Sequence, residues 1–208
     1  MPIVTISRQF GSGGSAVAAR VAERLGWRLL DNAIVDAIAE QMGVSTDTVR
    51  ALDERRPPLI TRLADTLALG ASEVLSPAAG AAVFSPDERM IETTRRVMES
   101  AVASGPVVVV GRAAQVVLGQ HTDALHVFCY APPVALAQRI AAREHLNLSD
   151  AERLVADTNR ERAAAVKRHY GHSWGAPENY HLCLNTEWLG LDGAAGVIIA
   201  AARDKFRD

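Results

Sequence analysis

The chain has 208 residues, of which 49% are hydrophobic, and its formal net charge is −2. This length suffices for one domain with a substantial core, and the near-neutral charge predicts no general attraction to nucleic acid or to an anionic membrane. The N-terminus lacks a basic region followed by an apolar core, and the longest small-apolar stretch, 67–84, contains Glu73 and Pro77, so we expect a cytoplasmic protein without a signal peptide or membrane span.

The chain begins with a short β-rich run that leads directly into a glycine-rich turn. Residues 2–6 have the pattern of a buried strand, residues 11–15 read Gly-Ser-Gly-Gly-Ser, and residues 13–25 have helical periodicity. Glycines let a backbone approach an anion closely, and a helix N-terminus supplies positive potential there. The turn is therefore predicted to bind phosphate.

Five apolar, strand-like runs alternate with helical patterns along the chain. Such alternation predicts an α/β fold with an open, five-stranded parallel sheet flanked by helices. The runs are residues 2–6, 27–30, 106–110, 124–130 and 180–184, and the helical patterns are 13–25, 34–42, 59–75, 85–102, 132–143 and 191–206.

No convincing strand appears between residues 43 and 105, so the sheet is predicted to be interrupted by a long helical insertion. We predict one domain, 1–208, with a core of about 1–31 and 106–208 and an insertion of about 32–105. The segment 144–177 is polar and partly helical, and its Ser149-Asp150-Ala151-Glu152 resembles a capping box at a helix start.

Polar residues follow the predicted strands at the points where the strands end. They are Ser7-Arg8, Asp31, Gly111-Arg112 and Asn185-Thr186. In open α/β sheets ligands bind beyond the carboxyl ends of the strands, which all lie at one edge. These residues are therefore predicted to share one site.

The cysteines and histidines give no strong metal pattern. Cys129 and Cys183 both lie in apolar strand-like runs, so we expect two buried free thiols rather than a disulfide. The spacing of His169, His172, His181 and Cys183 matches no standard zinc site, and these residues are interpreted as structural or exposed.

Two interpretations of the glycine turn compete. Residues 11–16 fit G-x-G-x-x-A, and Asp31 follows at a strand end, as a dinucleotide site requires. The P-loop pattern G-x-x-x-x-G-K-[ST] fits residues 8–15, with Arg8 in place of the first glycine and Gly14 in place of the lysine. We favour the P-loop, because four residues separate strand and first glycine and a long helical insertion follows. A nucleotide-binding module without catalysis and a dinucleotide-dependent oxidoreductase remain alternatives.

These residues resemble the cytidylate kinase-like family, relatives of the bacterial CMP kinases among the P-loop nucleoside monophosphate kinases. The likeness covers most of the chain and is weakest between residues 44 and 104. It rests on an atypical phosphate loop at 6–14, an LG-x-x-φ-φ-D motif (φ, hydrophobic) at 25–31, a VGR motif at 109–112, a lid motif at 159–163 and a closing strand at 180–186.

The resemblance implies the three-layer fold of P-loop kinases, with a helical insertion that binds the acceptor and a lid at about 144–177. It also implies transfer of the γ-phosphoryl group of ATP to (d)CMP or a related nucleoside monophosphate, with Mg²⁺ accompanying ATP as co-substrate. The partners would then be small-molecule nucleotides, without nucleic acid or membrane. The apolar helical face at 59–75 would be core of the insertion or the surface of a homodimer.

Site residues follow from the resemblance position by position. Donor phosphates would be held by Gly11, Ser12, Gly13, Gly14 and Ser15, with Ser15 also near the Mg²⁺ on those phosphates, and the donor base would lie near Asn185 and Thr186. The acceptor would be faced by Asp31, Arg112, Asn159 and Arg162. Positive charge for the transferring group would come from Arg8, Arg139, Arg143 and Arg162.

Three departures from the family pattern bear on activity. Gly14 stands where a P-loop has lysine, and Ser15 stands where this family is expected to carry arginine. Ala113 and Asn159 replace aspartates of the CMP kinases, so cytosine specificity is open. We expect Arg8, Arg139, Arg143, Arg160 and Arg162 together to offset the loss of the lysine if the lid closes on the substrates. We therefore hypothesise a slow or selective kinase whose lid arginines replace the P-loop lysine.

Overall fold

A computed structural model of the protein describes residues 1–31, 37, 43 and 86–207. The predicted helices between 34 and 75 and the predicted homodimer face at 59–75 lie outside these residues. The division into core, insertion and lid stays a prediction.

The described residues form one five-stranded sheet in which every pairing is parallel. Its order is β2-β3-β1-β4-β5, so β1 is central, and Ile6 faces Val110 on one side and Val127 on the other. The strands are β1 Ile3–Arg8, β2 Arg28–Leu30, β3 Val107–Val110, β4 Ala124–Tyr130 and β5 Leu182–Asn185. The predicted α/β fold with five parallel strands is confirmed.

Six described helices, numbered here in chain order, flank the sheet. They are α1 Gly14–Leu25, α2 Pro86–Ala103, α3 Ala114–Val117, α4 Pro133–Glu144, α5 Leu148–Tyr170 and α6 Thr186–Lys205, with a short 3₁₀ turn at Pro177–Asn179.

Two helix starts differ from the prediction. Asn147 rather than Ser149 caps α5, since its Oδ1 accepts the backbone N–H of Asp150 at 2.9 Å. Helix α6 begins five residues before the predicted start, at Thr186 instead of 191, and is broken at Gly190, which has φ 67° and ψ 169°. Asn185 caps this extra turn by accepting two backbone N–H groups.

The core has two layers, one on each face of the sheet. Val108 and Val110 of β3 point towards α1 and α6, where Val17 and Ile198 are fully buried. The alternate residues of β3 pack with Met98 of α2 and with α3. The continuous apolar run of β3 is thus explained by burial on both faces, as is usual for a strand in a parallel sheet.

The two cysteines have different environments. Cys129 in β4 is buried, and burial raises the pKa of its thiol to about 12. The prediction that both thiols are buried is wrong for Cys183, which is exposed because β5 is an edge strand. Within the described chain, no helix is both long and apolar enough to cross a membrane.

Candidate active site

The glycine turn between β1 and α1 is held in one conformation by its own hydrogen bonds. The carbonyl of Gln9 accepts the backbone N–H of Ser12 at 3.2 Å and its hydroxyl at 2.8 Å. Gly11 and Gly13 have φ values of 86° and 76°, in the left-handed region that favours glycine. A side chain on Gly11 would also meet the carbonyl oxygen of Leu136 at 2.8 Å. Both positions therefore require glycine.

The first turn of α1 is built to receive an anion. Gly13 is its N-cap and provides no side-chain cap, and the first turn carries no acidic residue. The first N–H groups of a helix have no partner within the helix and carry the positive end of its dipole. The turn has the geometry that phosphate groups bind.

A cavity of about 790 Å³ opens at the carboxyl ends of β1 and β3. Phe10, directly before the glycine turn, lines it, whereas residues 11–15 of the turn do not. The size of the cavity falls within the roughly 300–1,000 Å³ typical of small-molecule sites. Residues of α2, α4 and α5 form its other walls. Five arginines line it, namely Arg8, Arg112, Arg143, Arg153 and Arg162.

The cavity wall formed by α4 and α5 carries charges of both signs. Arg143 pairs with Glu144 at 2.8 Å, and Arg153 pairs with Asp150 at 2.5 Å. An incoming phosphate must therefore compete with these carboxylates for the arginines. The wall formed by the ends of β1 and β3 contributes Arg8 and Arg112 instead.

Helix α5, in the predicted lid, is docked on the glycine turn. Asn159 Oδ1 accepts the backbone N–H of Phe10 at 2.8 Å, and Arg162 Nη1 donates to the carbonyl of Arg8 at 3.1 Å. The guanidinium carbons of Arg143 and Arg162 lie 5.1 and 5.6 Å from the centre of the Phe10 ring. Asn159 was predicted to face the acceptor, but it does not line the cavity. Its hydrogen bond is to the backbone of Phe10, next to the glycine turn.

Phe10 was not selected by the sequence analysis, although it lines the cavity and joins three structural elements. Its signal in the sequence is only that an aromatic residue stands between a strand end and the first glycine of the turn.

Arg139 of α4 and Thr186 of α6 both contact the turn. Arg139 Nη1 donates to the carbonyl of Ser12 at 3.3 Å, and its Nη2 donates to Glu187 at 2.5 Å. Thr186 is fully buried, and its hydroxyl donates to the same Ser12 carbonyl at 2.7 Å. Neither these two residues nor the α6 cap Asn185 lines the cavity, and their predicted contacts with the nucleotide stay predictions.

The segment after β3 has a strained backbone that projects into the cavity. Gly111, Arg112 and Ala113 have successive φ values of 71°, 54° and 52°. A non-glycine residue in this region costs on the order of 1–3 kcal/mol, and such strain concentrates at functional sites. The strained segment brings Arg112 to the cavity, as its position at a strand end predicts.

Asp31, at the end of β2, lies next to Arg8. Its Oδ1 is 3.8 Å from Arg8 Nη2, and both side chains are mostly shielded from solvent. Asp31 does not itself line the cavity. The ends of β1, β2 and β3 are thus linked, as the shared-site interpretation requires.

Trp174 and Tyr180 pack on β4. Their rings lie 5.5 and 5.0 Å from that of Phe128, and the hydroxyl of Tyr180 donates to the carbonyl of Trp174 at 2.5 Å. Burial raises the pKa of Tyr180 to about 12, so it remains a hydrogen-bond donor at neutral pH. Trp174 also lines the cavity, at the end formed by the lid segment.

The protein groups available to a metal ion are few in the part of the chain that the structure describes. No three His, Cys, Asp or Glu side chains come together there. Ser15, the second residue of α1, offers a hydroxyl at the edge of the turn. One hydroxyl together with nucleotide phosphates is a donor set that suits Mg²⁺ carried by a nucleotide.

Comparison with protein families places the chain next to a known family. A family model described as the cytidylate kinase-like family matches residues 3–188. Among curated proteins, the chain is similar to a cytidylate kinase of Ignicoccus hospitalis, with 24% identity over 199 residues that cover 95% of this chain and 97% of that protein.

Solved structures share the fold at low sequence identity. An uncharacterized protein from Eubacterium ventriosum superposes with a TM-score of 0.69 at 18% identity, covering 97% of this chain and 98% of that one. A shikimate kinase from Acinetobacter baumannii, in complex with shikimate, gives 0.50 at 17% identity, covering 100% and 96%. TT1252 from Thermus thermophilus gives 0.54 at 18% identity, covering 96% and 97%. These similarities establish the α/β fold of P-loop kinases.

Proposed function

We infer the function from one premise: the chain belongs to the cytidylate kinase-like family. We propose that it transfers the γ-phosphoryl group of ATP to a nucleoside monophosphate, with CMP, dCMP or a close relative as acceptor. The observation that carries this proposal is the arginine-lined cavity of about 790 Å³ beside the glycine turn.

On the donor side, the glycine turn would hold the ATP phosphates. The N–H groups at the start of α1 would donate to phosphate oxygens, and a methyl group at Gly11 or Gly13 would obstruct the turn. The hydroxyl of Ser15 would contact the Mg²⁺ that accompanies those phosphates. The ion would supply charge neutralisation on the donor phosphates.

On the acceptor side, the cavity would hold the monophosphate with its phosphate facing the turn. An oxygen of that phosphate forms the new bond to the γ-phosphorus, the bond from this phosphorus to the bridging oxygen of ATP breaks, and ADP leaves with that electron pair. Two polyanions meet in this step, so the protein must supply cations and positioning. Arg112 and Arg162 line the cavity and are the residues proposed to bind the acceptor phosphate.

A second candidate is a nucleotide-binding protein without turnover. Gly14 and Ser15 provide no cation in the phosphate turn, and Arg139 and Arg143 are already engaged by Glu187 and Glu144. The dinucleotide alternative is weaker, because the carboxylate that would bind a ribose, Asp31, lies beside the guanidinium of Arg8.

Steady-state assays with MgATP and each of CMP, dCMP, UMP, AMP and GMP test the proposal. We expect turnover with at least one pyrimidine monophosphate. Nucleotide binding without turnover for any acceptor would contradict the kinase proposal and favour the second candidate. Thermal shift with ATP, an NMP, NAD and NADP separates the classes, since a ligand stabilises the protein that binds it.

Arg162→Ala gives a sharper test of the acceptor site. The guanidinium contacts the carbonyl of Arg8 and lines the cavity, and a hydrogen bond to a charged group contributes about 1.5–3 kcal/mol. We expect kcat/KM for the acceptor to fall about tenfold to a hundredfold. Arg24→Ala, which removes an exposed ion pair with Asp192, is the matched control and should leave the rate unchanged. An unchanged rate for Arg162→Ala would refute the assignment.

A further inference from the structure

The position of a P-loop lysine is occupied here by a glycine that has no room for a side chain while Arg8 is present. Residue 14 takes the lysine position of the P-loop pattern. A methyl group built on Gly14 would lie 2.9 Å from Cγ of Arg8, closer still to its Cβ, and 3.3 Å from Cβ of Cys129. The stem of Arg8 thus fills the space into which a side chain at residue 14 would extend.

The guanidinium end of Arg8 packs against a second glycine. A methyl group on Gly111, at the end of β3, would lie 3.0 Å from Cζ of Arg8 and would overlap its Nη1. The guanidinium therefore lies against the backbone of Gly111, with Asp31 at 3.8 Å, and it lines the cavity. Arg8 runs from the phosphate turn to the carboxyl end of β3.

The other candidate arginines lie on other elements. Arg143 and Arg162 also line the cavity, but they reach it from α4 and α5. Arg139 bonds to Ser12, Thr186 and Glu187 and does not line the cavity. Arg143 pairs with Glu144, and Arg160 pairs with Asp157. Arg8 is the candidate whose stem lies over the first residue of α1 and whose guanidinium reaches the cavity.

From this geometry we propose that Arg8 and Gly14 have exchanged the roles of two P-loop positions. Arg8, at the position of the first P-loop glycine, supplies the cation to the γ-phosphate of the donor, and Gly14, at the lysine position, leaves room for it. At Gly111, a side chain would displace the guanidinium of Arg8 from this position. This inference rests on the proposed function and names the residue that replaces the lysine.

The role proposed for Arg8 is electrostatic. It gains and loses no proton, because a guanidinium stays charged in proteins, and its two terminal nitrogens suit two phosphate oxygens. Asp31 is a positioning residue in this arrangement, since it lies beside the guanidinium at the end of β2.

The test compares wild-type protein with Arg8→Met, which keeps an unbranched stem over Gly14 and removes the charge. Affinities for MgATP and for inorganic tripolyphosphate are measured by calorimetry without acceptor, and kcat is measured with the best acceptor. We expect both affinities to fall at least tenfold and kcat to fall by about 10²–10³, the usual loss for one preorganised donor. Arg24→Met is the matched control and should change neither. Unchanged affinities in Arg8→Met would overturn the assignment.

Failure of this inference can be told apart from failure of the proposed function. A wild-type enzyme with turnover and an equally active Arg8→Met variant would overturn the role of Arg8 alone. Absence of turnover in the wild type, with tripolyphosphate binding that depends on Arg8, would overturn the kinase proposal and support Arg8 as the phosphate cation. A wild type that binds neither ligand would overturn both.

A variant that moves the cation from residue 8 to residue 14 tests the same proposal if Arg8→Met does not fold. Gly14→Lys alone should lose activity, because its side chain collides with the stem of Arg8. The double variant Arg8→Gly/Gly14→Lys restores the ordinary P-loop order and should bind tripolyphosphate at least tenfold more tightly than Arg8→Gly. A folded double variant that binds no better than Arg8→Gly would contradict the exchange.

Discussion

Phe10 shows how a single side chain couples the phosphate turn to the predicted lid. Its ring lies beneath the guanidinium groups of Arg143 and Arg162, and its backbone N–H is bound by Asn159. The turn therefore cannot shift without disturbing α4 and α5. Because both arginines also line the cavity, the ring positions the cations of the site as well as the turn.

Replacing Phe10 with leucine should weaken nucleotide binding while leaving the fold intact. Leucine retains an apolar side chain but loses two cation–π contacts, each contributing about 0.5–1 kcal/mol where partly exposed. We expect the KM for the acceptor nucleotide, whose phosphate Arg162 is proposed to bind, to rise about fivefold to tenfold, measured by steady-state kinetics. Phe206→Leu removes an aromatic ring packed on Trp27 and serves as the control. Equal KM values for the two variants would show that the ring contacts carry no weight in the site.

For the individual strands and helices, the sequence predicts the position of each element better than the residue at which a helix begins. The run of four valines in β3 is buried on both faces, and its sequence alone predicts that burial. The start of α6 was missed because Gly190 interrupts the helical pattern, while Asn185 caps a short turn before it. Local caps compete with periodicity at such points, and the sequence does not show which side chain turns back to the backbone.

Two glycine-to-alanine changes in helices should act in opposite directions. Gly196, inside α6, has open space around its Cβ position, so alanine there should stabilise the protein by about 0.5–1 kcal/mol. Gly26, which ends α1, also has open space but has φ 67°, so alanine there should destabilise it by about 1 kcal/mol. Urea unfolding measures both, and shifts of the same sign would contradict this explanation.

At the scale of the whole molecule, the sequence predicts that the strand ends lie at one edge of the sheet. It does not predict which side chains contact each other there. Parallel strands place their carboxyl ends at one edge, so Ser7-Arg8, Asp31, Gly111-Arg112 and Asn185-Thr186 were predicted to share one site. Arg8 and Arg112 line the cavity, whereas Asp31, Asn185 and Thr186 do not. The contact of Arg139 with Ser12 spans 127 residues and that of Arg162 with Arg8 spans 154, and no local pattern encodes such pairs. The exchange between Arg8 and Gly14 likewise becomes visible only from the packing of Arg8 against two glycines.

A histidine pair joins three strands of the sheet and makes its stability depend on pH. His126 in β4 is buried, and its Nδ1 lies 2.8 Å from the hydroxyl of Thr5 in β1. Its backbone N–H donates to Nδ1 of His181, just before β5, at 2.9 Å, and the two rings stack at 5.0 Å. Burial, then the nearby charges of His181 and Lys205, lower the pKa of His126 to about 4, and burial also lowers the pKa of His181.

The consequence is a loss of stability on acidification. The folded state favours neutral His126, whereas in the unfolded chain its pKa is near the usual value of about 6.5. Between about pH 6.5 and 4 the unfolded state therefore binds more protons, so this contribution is complete above pH 6.5 and is lost progressively as the pH falls towards 4. Its size is on the order of 2 kcal/mol after allowance for partial solvent screening.

Urea unfolding at pH 7.5, 6.5, 5.5 and 4.5 tests this expectation with wild type, His126→Gln and His172→Gln. The wild-type free energy of unfolding should fall across this range, and the decrease should be smaller in His126→Gln, even if that variant is less stable at pH 7.5. His172 is exposed, so its variant should follow the wild-type profile. A His126→Gln profile parallel to that of the wild type would mean that the acid sensitivity comes from other groups. A shallower His126→Gln profile would locate the acid sensitivity in the contact between β1, β4 and the residue before β5.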